Sequence, residues 1–284
     1  MDEKEKIKHA SEAIIGAVAG AVCQINEIQK NAETYVKDGL LFCSRCNTEK
    51  QVAVKFFGME KIMPCLCECE LREQERIELE AKKEKLLNEN ERNRLNGIPD
   101  KALRSFRFEY DNRSDIGFTD FLRDYAAKYD EIKKNNIGLF IYGEKGSGKT
   151  FGAACLANKL IDSGQIVIMS TFPRLERMIF DSSDKNRTIS EIVSCDFLII
   201  DDFGVERDTS YQKEMLYTII DERYKSEKPL ILTSNISFKE LSQMNSRISD
   251  RLLDMCQPLK KEGKSKRLEK AVNKAKLLKE VMGR

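Results

Sequence analysis

The sequence predicts an α/β fold, in which a larger domain with a central parallel sheet follows a small helical, cysteine-rich domain. Short apolar runs alternate with stretches that are compatible with helices, and these runs lie at 138–142, 166–170, 197–200 and 230–233. Continuous apolar runs are typical of parallel strands that are buried on both faces. Five of the nine cysteines fall between Cys43 and Cys69, which sets the preceding region apart from the rest of the chain.

Length and composition favour one large domain with a smaller addition. The 284 residues are 41% hydrophobic and 34% charged, which supplies enough apolar material for a core beneath a charged surface. The formal net charge of +2 excludes the overall positive field of strongly basic nucleic-acid binders, so any contact with DNA must be local.

No membrane partner is expected from the sequence. The apolar run at 13–23 is shorter than the about 20 residues that a helix needs to span a bilayer. Acidic residues before this run disfavour a signal peptide. Because the cysteines cluster instead of spreading along the chain, a metal site in the reducing cytoplasm is favoured over a framework of disulfides.

The domain boundary is predicted at a charged helix and the residues that stop it. Residues 70–95 include 15 charged residues in 26 and no Gly or Pro, which predicts a solvated helix. Gly97 and Pro99 end it, because glycine ends helices at little cost and proline disfavours a helical residue before it. The domains are therefore predicted as 1–96 and 97–284.

Both ends of the chain are predicted to be helical. Residues 1 to about 40 are interpreted as one or two helices that end near Asp38 and Gly39. After Pro258 the tail is rich in Lys and Arg, with apolar residues at helical spacing, which predicts a basic amphipathic helix.

The strongest motif follows the first predicted strand and precedes a predicted helix. It fits the P-loop pattern G-x-x-x-x-G-K-[ST] and consists of Gly143, Glu144, Lys145, Gly146, Ser147, Gly148, Lys149 and Thr150. Its backbone N–H groups and the helix N-terminus would bind the phosphates of ATP. Lys149 would reach the β- and γ-phosphates, and the Thr150 hydroxyl would bind Mg²⁺.

Two further strand ends carry polar side chains of the kind that hydrolysis requires. Asp201 and Asp202 follow the apolar run at 197–200, and Asn235 follows the next strand. Asp201 is expected to hold Mg²⁺ and Asp202 to deprotonate the attacking water. The alternatives are that the two acids only cap a turn and that Asn235 only starts one.

Three segments together resemble the DnaC/DnaI/IstB-like branch of AAA+ ATPases: 197–204, 231–235 and 246–252. The resemblance covers roughly residues 97–270. It implies an ATPase that self-associates through this domain, with Arg251 reaching the ATP site of a neighbouring subunit and Arg267 contacting nucleotide in its own site. Many AAA+ proteins carry Glu where this chain has Asp202, so its shorter arm is expected to slow hydrolysis.

The cysteines offer five thiols for a tetrahedral Zn²⁺ site that needs four. Their spacing, C-x-x-C followed by C-x-C-x-C, leaves the fourth ligand open. The segment from Pro64 resembles the second half-site of the loader family, which favours a ligand set of Cys43, Cys46, Cys65 and Cys67, with Cys69 as the alternate. A redox dithiol and unrelated buried cysteines are the other interpretations.

The resemblance implies an ATP-dependent loader that places a hexameric replicative DNA helicase on single-stranded DNA. A transposition helper ATPase of the IstB type would have the same ATPase core and a different N-terminal partner. The cysteines before residue 96 favour the loader. A small-molecule kinase and a nucleotide-binding scaffold without turnover fit less well, because Lys149, Thr150, Asp201 and Asp202 are all present.

Overall fold

The computed structural model describes residues 34–56, 59–111, 115–204, 210–243, 246–263 and 266–282. The chain divides into two compact units, Met1–Lys85 and Leu86–Arg284. Among the described residues, no helix combines the length and the apolar character that crossing a membrane requires.

The described part of the first unit contains two antiparallel hairpins. Strand β1 (Thr34–Lys37) pairs with β2 (Leu40–Cys43), and β3 (Gln51–Phe56) pairs with β4 (Met59–Pro64). Helix α1 (Glu68–Gly97) begins after them. Before α1 the described residues of this unit are therefore mainly strands, and of the helices predicted for residues 1 to about 40 only the last part falls among them.

The prediction of a helix that ends near Asp38 and Gly39 is wrong. Both residues have positive φ, 53° and 81°, and they form the two-residue turn between β1 and β2. A turn of this kind matches the right-handed twist of a hairpin, and Asp-Gly is among its preferred sequences. The part of the prediction that falls on residues 1–33 lies outside the described residues.

Helix α1 confirms the predicted charged helix and extends it by two residues at each end. Ion pairs one turn apart support its exposed part, such as Arg76 with Glu80 at 2.9 Å. Residues of its last turns are buried, and there Arg94 donates to Asn158 Oδ1 at 3.0 Å and pairs with Asp162. The division into units accordingly falls before the predicted boundary at residue 96.

The second unit contains a five-stranded sheet in which all pairs are parallel. Its strands are β5 (Gly138–Tyr142), β6 (Val167–Thr171), β7 (Phe197–Phe203), β8 (Leu230–Ser234) and β9 (Cys256–Lys260), in the order β6-β7-β8-β5-β9. The α/β fold and the four predicted strands are confirmed. The fifth strand was missed, because it is an edge strand that contains Pro258 and lacks a continuous apolar run.

Helices cover both faces of this sheet. The α-helices that follow α1 are α2 (Ile116–Ala127), α3 (Tyr129–Lys134), α4 (Lys149–Asp162), α5 (Phe172–Phe180), α6 (Lys185–Ser194), α7 (Ser210–Lys225), α8 (Phe238–Ser242), α9 (Ser246–Met255) and α10 (Lys266–Val281). Side chains of β7 alternate between two cores: Phe197 and Ile199 pack with α2 and α4, and Leu198 and Ile200 pack with α5, α6 and α7. The carboxyl ends of the strands therefore meet at one edge between the two layers.

One buried arginine fixes the start of β7 and β8. The Arg223 side chain is 0% exposed, and its guanidinium donates to the carbonyl oxygens of Val193, Cys195, Asp196 and Pro229 at 2.5 to 2.8 Å. These carbonyls belong to the end of α6 and to the turns that lead into the two strands. A single side chain thus satisfies four buried acceptors.

Replacing this side chain by an apolar one of similar length tests the role. We expect Arg223→Met to lower the free energy of unfolding by about 3 kcal/mol or more, because each buried carbonyl without a donor costs about 1–3 kcal/mol. Urea denaturation monitored by circular dichroism measures the change. The control is Arg187→Met on α6, whose side chain is 76% exposed; equal midpoints for the two variants would contradict the assignment.

Candidate functional site

The predicted P-loop joins β5 to α4 at the carboxyl edge of the sheet. Gly146 and Gly148 have φ of 82° and 104°, which side chains with a Cβ rarely adopt. Gly143 lies so close to the end of β9 that a Cβ would be 2.3 Å from the carbonyl oxygen of Lys261. The loop therefore has the backbone conformation that a phosphate cradle requires, and the residue after β9 packs against it.

Lys149 is held in place at the centre of this loop. Its side chain is 4% exposed, and its ammonium donates to the carbonyl oxygens of Gly143 at 2.9 Å and Glu144 at 2.8 Å. It also donates to Asn235 Oδ1 at 2.9 Å. The structure thus brings the predicted phosphate-binding lysine and the predicted sensor amide together, although 86 residues separate them.

Asp201 lies beside the loop and is 8% exposed. Its Oδ1 accepts hydrogen bonds from the hydroxyls of Thr150 at 3.0 Å and Thr233 at 2.5 Å. Burial raises the pKa of this carboxyl above its usual value. Magnesium prefers oxygen ligands and is usually bound by one or two protein oxygens together with phosphates. The adjoining oxygens of Thr150 and Asp201 fit such a site.

Asp202 takes a different environment from its neighbour. It is exposed and has φ of 56°, which a residue with a Cβ adopts only at a cost of about 1–3 kcal/mol. The pairing of β7 with β8 shifts register between Ile200 and Phe203, and the Asp202 N–H donates to Thr233 Oγ1 at 3.0 Å. This irregularity separates the two carboxylates, one buried beside Thr150 and one facing the open site.

These residues line one cavity of about 730 Å³. One wall is largely apolar and includes Leu103, Phe106 and Phe151. The Asn158 amide fixes that wall to α4, because it donates to the carbonyl oxygens of Leu103 at 2.8 Å and Phe106 at 3.1 Å. An apolar wall next to a phosphate cradle fits a nucleotide, whose base is flat and whose phosphates are charged. No motif in the sequence signals this wall.

Arg251 lies outside the described lining of this cavity. It forms an ion pair with Asp221 on α7, and its guanidinium lies 4.9 Å from the ring centre of Tyr217 and 5.7 Å from that of Tyr224. Its side chain is 25% exposed. The arginine is thus held by side chains of α7 and does not line the nucleotide cavity of its own chain.

Two further arginines lie near the end of the chain: Arg247, one turn before Arg251, and Arg267, the predicted nucleotide contact. Arg247 is exposed on α9, and its carbonyl oxygen accepts from Arg251 Nη1 at 3.1 Å. The backbone of Arg267 lies in α10, whereas its side chain lies outside what the structure describes. Its contact with nucleotide stays a prediction.

A second cluster of functional side chains lies in the first unit. The four thiols of Cys43, Cys46, Cys67 and Cys69 lie within 4.8 Å of one another. Cys43 Sγ is 3.5 Å and Cys67 Sγ is 3.2 Å from Cys69 Sγ. Sulfur atoms around a tetrahedral zinc ion lie about 3.8 Å apart, since each Zn–S bond is about 2.3 Å. The four thiols therefore fit a zinc ion.

The structure corrects the predicted ligand set in one member: Cys69 belongs to the cluster and Cys65 does not. The Cys65 N–H donates to the Lys50 carbonyl at 2.9 Å, so Cys65 still belongs to the β3–β4 hairpin. Its thiol lies 3.5 Å from the Glu49 carbonyl oxygen. Cys67 and Cys69 flank the start of α1 and reach the turn after β2.

Local hydrogen bonds prepare the cluster for a cation. A hydrogen bond of 3.0 Å with the Thr48 hydroxyl lowers the pKa of Cys46 to about 5. Metal ligands must be thiolates, so this contact favours binding. Lys50 is 1% exposed and lies 2.7 Å from Glu70, whose other oxygen accepts from the Cys67 N–H at 3.1 Å. This pair, which the sequence did not signal, fixes Cys67 and places a positive charge near the thiols.

The fold and the nucleotide cavity together define an ATP-binding P-loop domain of the AAA+ class. The chain belongs to the family of IstB-like ATP binding proteins, whose model matches residues 71–274. The resemblance that the motifs carry is thereby confirmed.

Several curated proteins share this sequence in part. The chain is 26% identical over 225 residues to the phage-like element PBSX protein XkdC of Bacillus subtilis, covering 75% of this chain and 79% of that protein. It is 30% identical over 161 residues to the replicative helicase loader DnaI of Bacillus subtilis, covering 51% of each. It is 28% identical over 134 residues to the replicative helicase loader DnaC of Escherichia coli, covering 45% of this chain and 55% of that protein.

The fold also matches a solved structure. A crystal structure of DnaI aligns with a TM-score of 0.51 at 23% identity, covering 58% of this chain and 93% of that one. The chain spans about half the length of the two curated loaders. The likeness to the crystal structure therefore concerns the AAA+ fold.

The corrected ligand set can be tested by metal analysis. We expect the parent chain to hold about one zinc ion, and Cys69→Ser to lose it, because tetrahedral zinc needs all four thiolates. Cys65→Ser is the matched control and should keep the zinc. Inductively coupled plasma mass spectrometry of the purified proteins gives the ratio. Loss of zinc from Cys65→Ser with retention in Cys69→Ser would restore the ligand set that the family resemblance favoured.

Proposed function

We propose that this chain hydrolyses ATP to load a hexameric replicative DNA helicase onto single-stranded DNA at the initiation of replication. The observation that carries the proposal is the presence in one chain of a nucleotide cavity lined by Lys149, Asp201 and Asp202 and of a four-thiol module upstream of it. The similarity to proteins named replicative helicase loaders supports the same function.

The hydrolysis step follows from the side chains in the cavity. Lys149 would bind the β- and γ-phosphates, and Thr150 with Asp201 would hold a magnesium ion, which offsets the charge of the phosphates. Asp202 is exposed to the cavity and would accept a proton from the attacking water. Asn235 lies at the Lys149 ammonium, where its amide would orient the terminal phosphate.

A second subunit would complete this site through Arg251. The position of this side chain outside its own cavity supports a role in a neighbouring one. Asp221, Tyr217 and Tyr224 restrict the guanidinium, which lowers the entropy that ordering it across an interface would cost. Assembly through the ATPase domain is therefore part of the proposal, and catalysis would depend on it.

Single-stranded DNA is the proposed second partner. The formal charge of the chain is only +2, so a DNA contact needs a local cluster of positive charge. Helix α10 has exposed lysines at 274, 276 and 279, which can neutralise strand phosphates. The zinc module is proposed as the surface that holds the helicase.

A transposition helper of the IstB type is the second candidate. It is favoured by the family model, which begins at residue 71 and therefore leaves out the whole thiol cluster. The two candidates share the ATP site and differ in the partner of the first unit. Binding experiments on that unit separate them.

Association with a hexameric replicative helicase tests the loader directly. We expect the full chain to co-elute with a purified helicase in size-exclusion chromatography, and Cys43→Ser to lose this complex, because loss of a ligand removes the metal that stabilises the module. Cys65→Ser, which leaves the cluster intact, should still bind.

Nucleotide affinity in all three proteins should be equal, since the substitutions lie in the other unit. A complex that forms equally well with Cys43→Ser would contradict a role of the module in holding the helicase. Absence of any complex with the parent chain would favour the transposition helper.

A further inference from the structure

The nucleotide cavity has a polar side that none of the predicted motifs includes. Ser170 lies in β6 near its end, lines this cavity and is 7% exposed. Within the described residues its hydroxyl makes no hydrogen bond. A buried polar group without a partner costs about 1–3 kcal/mol, so such a group is expected where a ligand supplies the partner.

A cation lies next to this hydroxyl. Arg174 is in the first turn of α5, directly after β6, and it lines the same cavity. Its side chain is exposed to the open site and does not pack into the core. Ser170 and Arg174 therefore offer one hydroxyl and one guanidinium to the same space.

The strand order places these two residues relative to the catalytic carboxylates. Along the carboxyl edge, β6 is followed by β7, β8 and β5. Thr171 pairs in register with Asp201, and neighbouring strands lie about 4.8 Å apart. Asp201 and Asp202 are thus flanked by Lys149 on the β5 side and by Arg174 on the β6 side.

We propose that Ser170 and Arg174 form a second anion-binding wall, which contacts the terminal phosphate of bound ATP and so distinguishes ATP from ADP. This inference rests on the proposed ATPase function. A terminal phosphate has three peripheral oxygens, and Lys149 approaches this edge of the sheet from the β5 side, opposite Arg174. A guanidinium binds two oxygens of a phosphate in parallel, and a hydroxyl donates to a third.

The position of Arg174 on α5 links phosphate binding to the placement of that helix. Arg174 belongs to α5, whose other end carries Met178 and Phe180 at 46% and 65% exposure. A contact between Arg174 and the terminal phosphate would hold the start of α5 only while ATP is intact. Release of phosphate would free it.

Binding of two nucleotides to the full chain tests the inference. We expect Arg174→Ala to weaken the binding of a non-hydrolysable ATP analogue about tenfold or more, and of ADP by less than about twofold, because a charged hydrogen-bonding pair to the terminal phosphate is lost. Ser170→Ala should act in the same direction with a smaller effect. Fluorescent nucleotide titrations in the presence of Mg²⁺ give both affinities.

Arg177→Ala is the matched control, since Arg177 is on the same helix, is 83% exposed and pairs with Asp181. It should leave both affinities unchanged. Equal losses for the ATP analogue and ADP in Arg174→Ala would show a structural role and overturn the inference, as would no change in either affinity. A change that appears only when single-stranded DNA is added would assign the anion to a strand phosphate and also overturn it.

Failure of the proposed function looks different. In that case the parent chain itself would not bind the ATP analogue, or Lys149→Ala would bind it as well as the parent. Suppose instead that the parent chain binds both nucleotides, that Lys149→Ala binds neither, and that Arg174→Ala binds both with the parent's affinities. This result would leave the proposed function in place and remove only the second wall.

Discussion

The structure of the nucleotide site depends on two buried charged groups, Lys149 and Asp201, that line the same cavity. Lys149 is 4% and Asp201 is 8% exposed, and neutral oxygens hold each of them. Burying a charge costs several kcal/mol, which a ligand of opposite charge can offset. The phosphates of ATP would supply such charges beside Lys149, and magnesium would supply one beside Asp201. The site is thus arranged for a ligand whose charges complement those of the side chains.

Most of the local geometry serves this arrangement. Thr233 donates to Asp201 and accepts from the Asp202 N–H, so one hydroxyl sets the positions of two carboxylates with separate roles. Asn235 ties β8 to Lys149, and the end of β9 packs under Gly143. Strand β8 lies between β7 and β5, which is why its side chains reach both. The parallel sheet matters to function because it brings these strand ends to one edge.

Sequence patterns predicted the features that depend on local spacing. Four strands were predicted because burial on both faces leaves a continuous apolar run, and the P-loop was predicted because its glycines and Lys149 lie within one short segment, residues 143–149. Strand β9 was missed because an edge position lets it keep Pro258 and polar residues. The turn at Asp38 was misread, since Asp-Gly can end a helix or join two strands.

The remaining site residues depend on tertiary structure. Spacing alone could not separate Cys65 from Cys69, because the choice depends on where the β3–β4 hairpin ends and α1 begins. Ser170, Arg174 and Phe106 join the cavity only through the order of the strands and the packing of the segment before α2. No pattern in their own neighbourhoods marks them.

The central claim is that Lys149 binds ATP and that Asp202 deprotonates the water that hydrolyses it. The most direct measurement compares nucleotide affinity with steady-state phosphate release for Lys149→Ala, Asp202→Asn and the control Lys159→Ala, an exposed lysine of α4 outside the cavity lining. We predict loss of both properties in Lys149→Ala, and retained affinity with turnover reduced about 100-fold or more in Asp202→Asn, because the general base is lost. Turnover by Asp202→Asn at the parent's rate would contradict the assignment of the base, and ATP binding by Lys149→Ala with parental affinity would contradict the site itself.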